Sequence, residues 1–519
     1  MAIPGVQTSV SIRSRAGKAL ILALFSVALA DCGKSGVHPK DVEPSALQSE
    51  VRDAQVRSFY QARQWKAAWD RKSEKALLEI IEQAPTNGLK PELFLKEPLP
   101  TDANAREAAL TAAALKYATA LARGYADPRK ISAVYTIPRP KTDVAAGLTQ
   151  ALDQQGLAEW YASLPPQTDE YRAMSDAHIQ YLQLAGQTKL TPVPGGKAIK
   201  PGRRDRRIPQ IVASLRATSY LPPEPPTADG KPTPAASTRY SPPLVAAVRR
   251  LQADFGMKPD GVIGETTLGV INLGPAGLAR ELAIAMERLR WLERDPPRTR
   301  VDVNTAAAFL DYWRDGRLVD HRNVVPGEPD KATPQLQASF SQLVANPYWR
   351  IPDSIYEEEL ADKGAAYFAA NNMAMKDGRL VQLPGPKNSL GLVKLDVQDP
   401  QQIYLHDTPA KALFSLPERH RSHGCVRVEN ALQFAAMLAS QDNVLSKFEQ
   451  ALASGEETTV RLRTDIPVRL LYHTAFWDGR SIQFRPDVYG WDDDVAMALG
   501  LVRGGPRKSL QKESGDIGP

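Results

Sequence analysis

Cysteine is nearly absent from this chain: its 519 residues contain two, Cys32 and Cys425. So few thiols exclude a disulfide framework as the source of stability. Paired metal-ligand spacings are missing as well. No C-x2-C or H-E-x-x-H pattern occurs, so a zinc site drawn from His406, His420, His423 and Cys425 fits known ligand spacings poorly, and neither a metal nor another cofactor is expected. Long apolar runs are also lacking: the stretch 19–30 falls short of the ~20 residues that a membrane-spanning helix needs.

Net charge is +6, and the basic residues are scattered apart from short runs such as Arg203-Arg204-Asp205-Arg206-Arg207. This balance fits a polyanionic neighbourhood such as a cell envelope, and equally an ordinary solvated surface; charge alone does not exclude nucleic acid, but taken with the rest of the chain no nucleic acid partner is expected. Arg13, Arg15 and Lys18 precede the apolar stretch, which ends in Ala28-Leu29-Ala30. That is the pattern of a secretory signal peptide over 1–30, so export is expected. Cys32, in Leu29-Ala30-Asp31-Cys32, resembles a lipoprotein acceptor site with Asp31 where such sites carry a small residue. Lipidation there, or a retained leader, would tether the chain to a membrane.

The length predicts several folding units. From 43 to 200 the pattern reads as an all-α domain. Leu110, Ala114, Tyr117 and Leu121 share one helical face, with a stop at Gly124; Leu77, Leu78, Ile80 and Ile81 mark a second buried helix before Asn87-Gly88. A third stripe, Met174, His178, Tyr181 and Ala185, makes His178 a packed helix residue and not a ligand. Gly, Pro and Lys enrichment over 186–207 and Pro enrichment over 222–243 predict extended linkers around a short helix, 208–217.

Leu244, Val248, Leu251 and Phe255 then form a helical stripe, followed by Asp260-Gly261-Val262-Ile263-Gly264 and a helix through Leu268 and Ile271. This order resembles the small three-helix peptidoglycan-binding module, assigned with its Pro-rich linker to 207–275. The resemblance makes Asp260, Gly261 and Gly264 the peptidoglycan-binding candidates. Both glycines are expected at positive φ or at a close backbone approach.

After residue 298 the periodicity becomes that of strands: 300–304, 306–314, a turn at Asp315-Gly316, 317–325, then 338–346, 392–397, 402–406 and 458–463, with a helix over 429–440. A catalytic domain over 298–465 is therefore expected to be mainly β, interrupted by an insertion, 352–390, that reads as a lid. A hairpin with strands over 468–476 and 481–485 is expected to turn at Asp478-Gly479; with a helix it makes up 466–503, ahead of a disordered tail, 504–519. The fold class is multidomain α+β.

Cys425 sits in Ser422-His423-Gly424-Cys425-Val426-Arg427. A thiol attacks only as thiolate, and its free pKa of ~8.5 leaves it mostly protonated at neutral pH, so a base is required. His406 and His423 are both available. His406 ends a predicted strand and is the expected base, with the Asp407 backbone carbonyl or side chain fixing its tautomer. The N–H groups of His423, Gly424 and Cys425 are expected to converge as an oxyanion hole. Arg427 would face the thiol's side, to bind a substrate carboxylate or to hold the loop.

The pattern H-x15-S-H-G-C followed by V-R-V-E-N, with Tyr404-Leu405-His406-Asp407-Thr408-Pro409, Asn346-Pro347-Tyr348-Trp349 and Gly385-Pro386-Lys387-Asn388-Ser389-Leu390-Gly391, resembles the L,D-transpeptidase catalytic domain, also called YkuD-like. The domain order is similar to the large Gram-negative members, though many smaller members carry Gly where this chain has Asp407. The resemblance implies Cys425 as nucleophile, His406 as proton acceptor and donor, the Asp407 carbonyl as third member, and Tyr404, Asn388 and Arg427 as substrate contacts. It also implies a periplasmic enzyme acting on peptidoglycan stem peptides through a 3→3 cross-link, and acylation by carbapenems. Water or a lipoprotein lysine as acceptor would make the same site a carboxypeptidase or an anchoring enzyme. A non-catalytic wall-binding scaffold is the remaining alternative.

Overall fold

The computed structural model describes residues 39–223 and 237–504. The segment expected to be a signal peptide, Cys32 and the residues from 505 on lie outside the described residues, and none of the described helices is long and apolar enough to cross a membrane. The architecture is α+β: helices up to residue 290, then a closed barrel with a small inserted sheet and a C-terminal hairpin.

The N-terminal helices begin where short polar side chains cap them. Asp102 accepts from Ala105 N at the start of Ala103–Arg123, and Asp70 with Ser73 forms a capping box on Arg71–Glu82. Leu110, Ala114, Tyr117 and Leu121 are buried, as their spacing predicts. Gly124 ends the helix at φ +82, and a Cβ there would lie 2.4 Å from Trp291 Cδ1. His178 is buried; its Nδ1 pairs with Ala279 O at 2.8 Å, and burial pushes the ring pKa down to about 4.

The short helix is Ile208–Ala217, and with Pro242–Asp254 and Glu265–Ile271 it makes the three-helix unit. The segment 186–207 is not the free linker its composition suggests. Val193 and Ile199 are buried, Ile199 bridges to Ile263, and Arg207 pairs with Asp205 while donating to Lys197 O at 2.6 Å. Gly261 has φ +77, as expected, but Gly264 does not: at φ −87, with open space where a Cβ would go, it needs no glycine.

The longest element missing from the sequence reading is the helix Gly274–Arg290, whose Leu278, Leu282, Ala285 and Leu289 recur at helical spacing. It touches Asp169–Gln187, Ala103–Arg123 and the C-terminal helix Asp492–Ala498. Its charged side chains are buried and therefore paired. Arg290 donates to Glu287 Oε2 at 2.5 Å, to Asn87 O at 2.6 Å and to the Tyr171 hydroxyl at 2.7 Å, while Glu287 Oε1 accepts from Ala126 N and Trp291 Nε1. Arg288 donates to Asp492 at 2.5 Å and to Thr474 Oγ1 at 3.0 Å.

The strands are β1 (Arg300–Asn304), β2 (Phe309–Arg314), β3 (Arg317–Val325), β4 (Leu336–Ala345), β5 (Trp349–Arg350), β6 (Met373–Lys376), β7 (Arg379–Gln382), β8 (Val393–Val397), β9 (Leu405–His406), β10 (Val426–Val428), β11 (Thr458–Leu471), β12 (Ala475–Trp477) and β13 (Ile482–Phe484). The barrel closes in the order β1-β11-β4-β8-β9-β10-β3-β2. Asp315 and Gly316, both at positive φ, turn β2 into β3. Three expectations shift. β2 starts at Phe309, because 305–308 is a turn. β11 runs on to Leu471, paired with β4 on both sides of a register shift between Arg461 and Ile466, so the boundary expected at 465 falls inside one strand. The C-terminal hairpin is accordingly shorter, β12 with β13. The insertion is a folded unit: β5-β7-β6 and short helical turns enclose Trp349, Ile351, Ile355, Leu360, Met373, Leu380 and Leu390.

Removing one partner of a buried ion pair strands the other charge, a loss of about 3–5 kcal/mol. Glu287→Ala is expected to destabilise the chain on that scale in denaturant unfolding. Lys75→Ala, which breaks an exposed pair with Glu79 at 3.7 Å, should change stability by less than about 1 kcal/mol.

Candidate active site

Parallel pairing of β9 with β10 puts Leu405 opposite Val426 and His406 opposite Arg427. Side chains two apart share a face, so Tyr404, His406, Cys425 and Arg427 lie on one side of the sheet, and His406 sits diagonally beside Cys425. His406 is fully buried. Its Nδ1 pairs with the Asp407 backbone carbonyl at 2.5 Å, which puts the proton there and leaves Nε2, a buried nitrogen with no hydrogen-bond partner, as the lone-pair end. The carbonyl, and not the Asp407 carboxylate, thus fixes the tautomer. That carboxylate pairs with Lys411 and accepts from Leu392 N. It also explains Gly391 in the sequence motif: at φ +61, a Cβ there would collide with Asp407.

Electrostatics make the resting pair neutral. Burial pushes the Cys425 thiol up to about 11, partly offset by hydrogen bonding from Tyr404. Burial, then Arg427 and nearby lysines, pushes His406 down to about 3. The thiol points to Gln402 O at 4.0 Å. Lys394, opposite His406 on β8, lies 5.0 Å from the Tyr404 ring and pairs with Asp396. Cationic Arg427 and Lys394 favour a thiolate and oppose an imidazolium, so proton transfer is best coupled to carbonyl attack.

Cys425, Gly424, His423 and Tyr404 open on a groove of about 970 Å³ that is also lined by Tyr348, Arg350, Lys331, Glu358 and Trp491, and by 131–134 of the helical region. The insertion reaches over it. Glu359 Oε1 meets His423 Nε2 at 2.6 Å and Glu358 meets Lys331 at 2.5 Å.

Several expected roles change. Gly424 has φ +120, but its N–H is engaged by Ser422 Oγ at 3.1 Å, so it is not a free oxyanion donor. Ser422 also donates to Cys425 O at 2.5 Å; this organiser of the loop was in plain sight in the sequence run, without a role. Asn388 is not a substrate contact: it is fully buried, and its amide donates to Pro347, Gln382 and Leu383 carbonyls. Arg427 is 1 % exposed and does not line the groove, which fits its loop-holding alternative better than contact with a substrate carboxylate. Asp260 and Gly261 shape their own turn through Gln252: Asp260 Oδ1 accepts from Val262 N and Gln252 Nε2, and Gly261 N donates to Gln252 Oε1. His420 turns away to Thr305 O at 2.7 Å, and among the described residues no three His, Cys, Asp or Glu side chains come together to hold a metal ion.

The sequence profile of the L,D-transpeptidase catalytic domain, YkuD, matches 298–447. Residues 298–447 are a YkuD domain. Profiles of a scaffold domain and of a "Putative peptidoglycan binding domain" match 54–177 and 210–271. A "Putative L,D-transpeptidase" of Haemophilus influenzae is 30% identical over 248 residues, which cover 43% of this chain and 50% of that protein, so the match spans about half the length of this curated relative. Among solved structures, an L,D-transpeptidase from Stackebrandtia nassauensis is 15% identical, covering 54% of this chain and 97% of its own, with a TM-score of 0.22. L,D-transpeptidase 3 from Mycobacterium tuberculosis, in complex with a faropenem-derived adduct, is 14% identical over 34% of this chain and 60% of its own, with a TM-score of 0.20. Scores this low carry no argument; the profile over the YkuD domain does.

With the thiol pKa near 11, iodoacetamide alkylation of Cys425 should follow the thiolate fraction, rising about tenfold per pH unit from roughly pH 6 to 10 without a plateau. A flat rate from about pH 4 to 8 would reveal a preformed thiolate–imidazolium pair instead.

Proposed function

We propose that this chain is a periplasmic L,D-transpeptidase that forms 3→3 cross-links in peptidoglycan. The observation that carries the reading is the Cys425–His406 pair, set on one sheet face with an unpartnered Nε2 on the buried histidine and with Cys425 in the wall of a groove of about 970 Å³. His406 takes the thiol proton as sulfur attacks the carbonyl of the third, diamino-acid residue of a tetrapeptide stem. A C–S bond forms, the C–N bond to the terminal residue breaks, and D-alanine leaves with the proton from His406. An amine of a second stem then attacks the thioester, a C–N bond forms, and the C–S bond breaks as the thiol regains a proton.

In this reading the module over 210–271 binds the wall polymer, and the insertion is a lid held shut by Glu359 on His423 and Glu358 on Lys331. A lid on such latches excludes water from the thioester, which favours an amine acceptor over hydrolysis.

Full-length protein incubated with a disaccharide tetrapeptide is expected to release D-alanine and yield a dimer joined through two third residues, with both products lost in Cys425→Ala. Tripeptide without dimer would make the enzyme a carboxypeptidase, and no D-alanine release from folded protein would leave a wall-binding scaffold. Glu359→Gln weakens one latch and should raise the ratio of tripeptide to dimer, by about two- to fivefold for the loss of one charge-assisted hydrogen bond. An unchanged ratio would remove the lid from the account.

A further inference from the structure

We propose that Thr333 and Tyr489 are positioning residues that aim the Cys425 backbone N–H at the oxyanion formed during attack; the proposal rests on the acyl-transfer reading above. Gly424 has φ +120, a backbone region that side-chain-bearing residues rarely adopt, so an external contact is needed to hold the peptide that follows it. Thr333 supplies one: its Oγ1 donates to Gly424 O at 2.9 Å. The Gly424 carbonyl and the Cys425 N–H belong to one planar trans peptide and point in opposite directions. Holding the oxygen therefore sets where the N–H points. The Gly424 N–H is already engaged by Ser422, which puts more of the oxyanion's stabilisation on the Cys425 N–H.

Thr333 is fully buried and is fixed in turn from two sides. Its Oγ1 accepts from Gly327 N at 2.8 Å, and its own N–H donates to the Tyr489 hydroxyl at 3.3 Å. That hydroxyl donates to Gly327 O at 2.9 Å and so spans the loop between Gly327 and Thr333. Gly327 has no room for a side chain, since a Cβ would lie 2.1 Å from Lys331 O. The Tyr489 ring stacks on Tyr472 at 5.0 Å and meets Trp491 at 4.9 Å, and its N–H donates to the Tyr472 hydroxyl. Tyr489 lies beyond the YkuD match, which ends at 447. A C-terminal segment outside the catalytic domain thus sets the geometry at the nucleophile.

The test compares two reactions of Cys425 in the full chain: acylation by imipenem, which develops an oxyanion, and alkylation by iodoacetamide, which does not. Thr333→Val should slow acylation about 10- to 100-fold, the scale of a misaimed oxyanion donor, with alkylation within about twofold of wild type. Thr333→Ser, which keeps the hydroxyl, should restore acylation, and Tyr489→Phe should slow it by about three- to tenfold. Wild-type acylation rates in both Thr333→Val and Tyr489→Phe would overturn the proposal. So would an equal fall in both reactions, the mark of a collapsed loop. Wild-type protein that is alkylated but never acylated would overturn the acyl-transfer reading itself, and this proposal with it.

Discussion

Two guanidinium groups buried on one helix, Arg288 and Arg290, set the constraint that the rest of the molecule satisfies. A buried charge is tolerated only when paired and hydrogen-bonded. Arg290 finds Glu287, Tyr171 and the Asn87 carbonyl, which ties the N-terminal helices to the helix Gly274–Arg290. Arg288 finds Asp492 and Thr474 and lies 5.0 Å from the Tyr472 ring, which ties in the C-terminal segment. Gly88 and Gly124 let the backbone close on this helix; a Cβ at Gly88 would lie 2.7 Å from Ala283 Cα. One helix outside all three profile matches thereby orders the units around it.

The same segment leads to the chemistry. Asp487 holds the Tyr472 hydroxyl and the N–H groups of Trp491 and Asp492, and the aromatic cluster so formed stands beside the Cys425 loop, with Trp491 in the groove wall. At the site, burial keeps Cys425 and His406 neutral at rest. A protonated thiol is protected from adventitious oxidation and alkylation. In the proposed reaction it becomes nucleophilic when a carbonyl is in place to accept the electron pair as the proton leaves.

Much of this was legible in the sequence where local rules decide. The Ala103–Arg123 face, the helix Ile208–Ala217 and the Asp315-Gly316 hairpin follow from period and turn chemistry alone. Cys425 and His406 stood out because a lone thiol and an upstream histidine are rare residues on adjacent strands. The helix Gly274–Arg290 was obscured because charges such as Glu287, Arg288 and Arg290 read as a solvated face, whereas here they are internal: Glu287 and Arg290 pair with each other, Arg288 pairs with the distant Asp492, and Arg290 also reaches the Asn87 carbonyl. Asn388 misled for the opposite reason: a polar residue in a motif suggests ligand contact, but its amide is taken up by backbone carbonyls, whereas the burial of Arg427 fits the loop-holding alternative. Thr333 and Tyr489 carry no sequence signal, since their partners are carbonyls and N–H groups set by tertiary structure.

The most direct test of the central claim, that Cys425 carries the acyl group, is intact-mass analysis of the full chain mixed with a tetrapeptide stem and quenched early. The account predicts an added mass equal to the donor less D-alanine, mapped to Cys425 and absent from Cys425→Ala. The same adduct on the variant, or one mapped to another residue of the wild type, would contradict it.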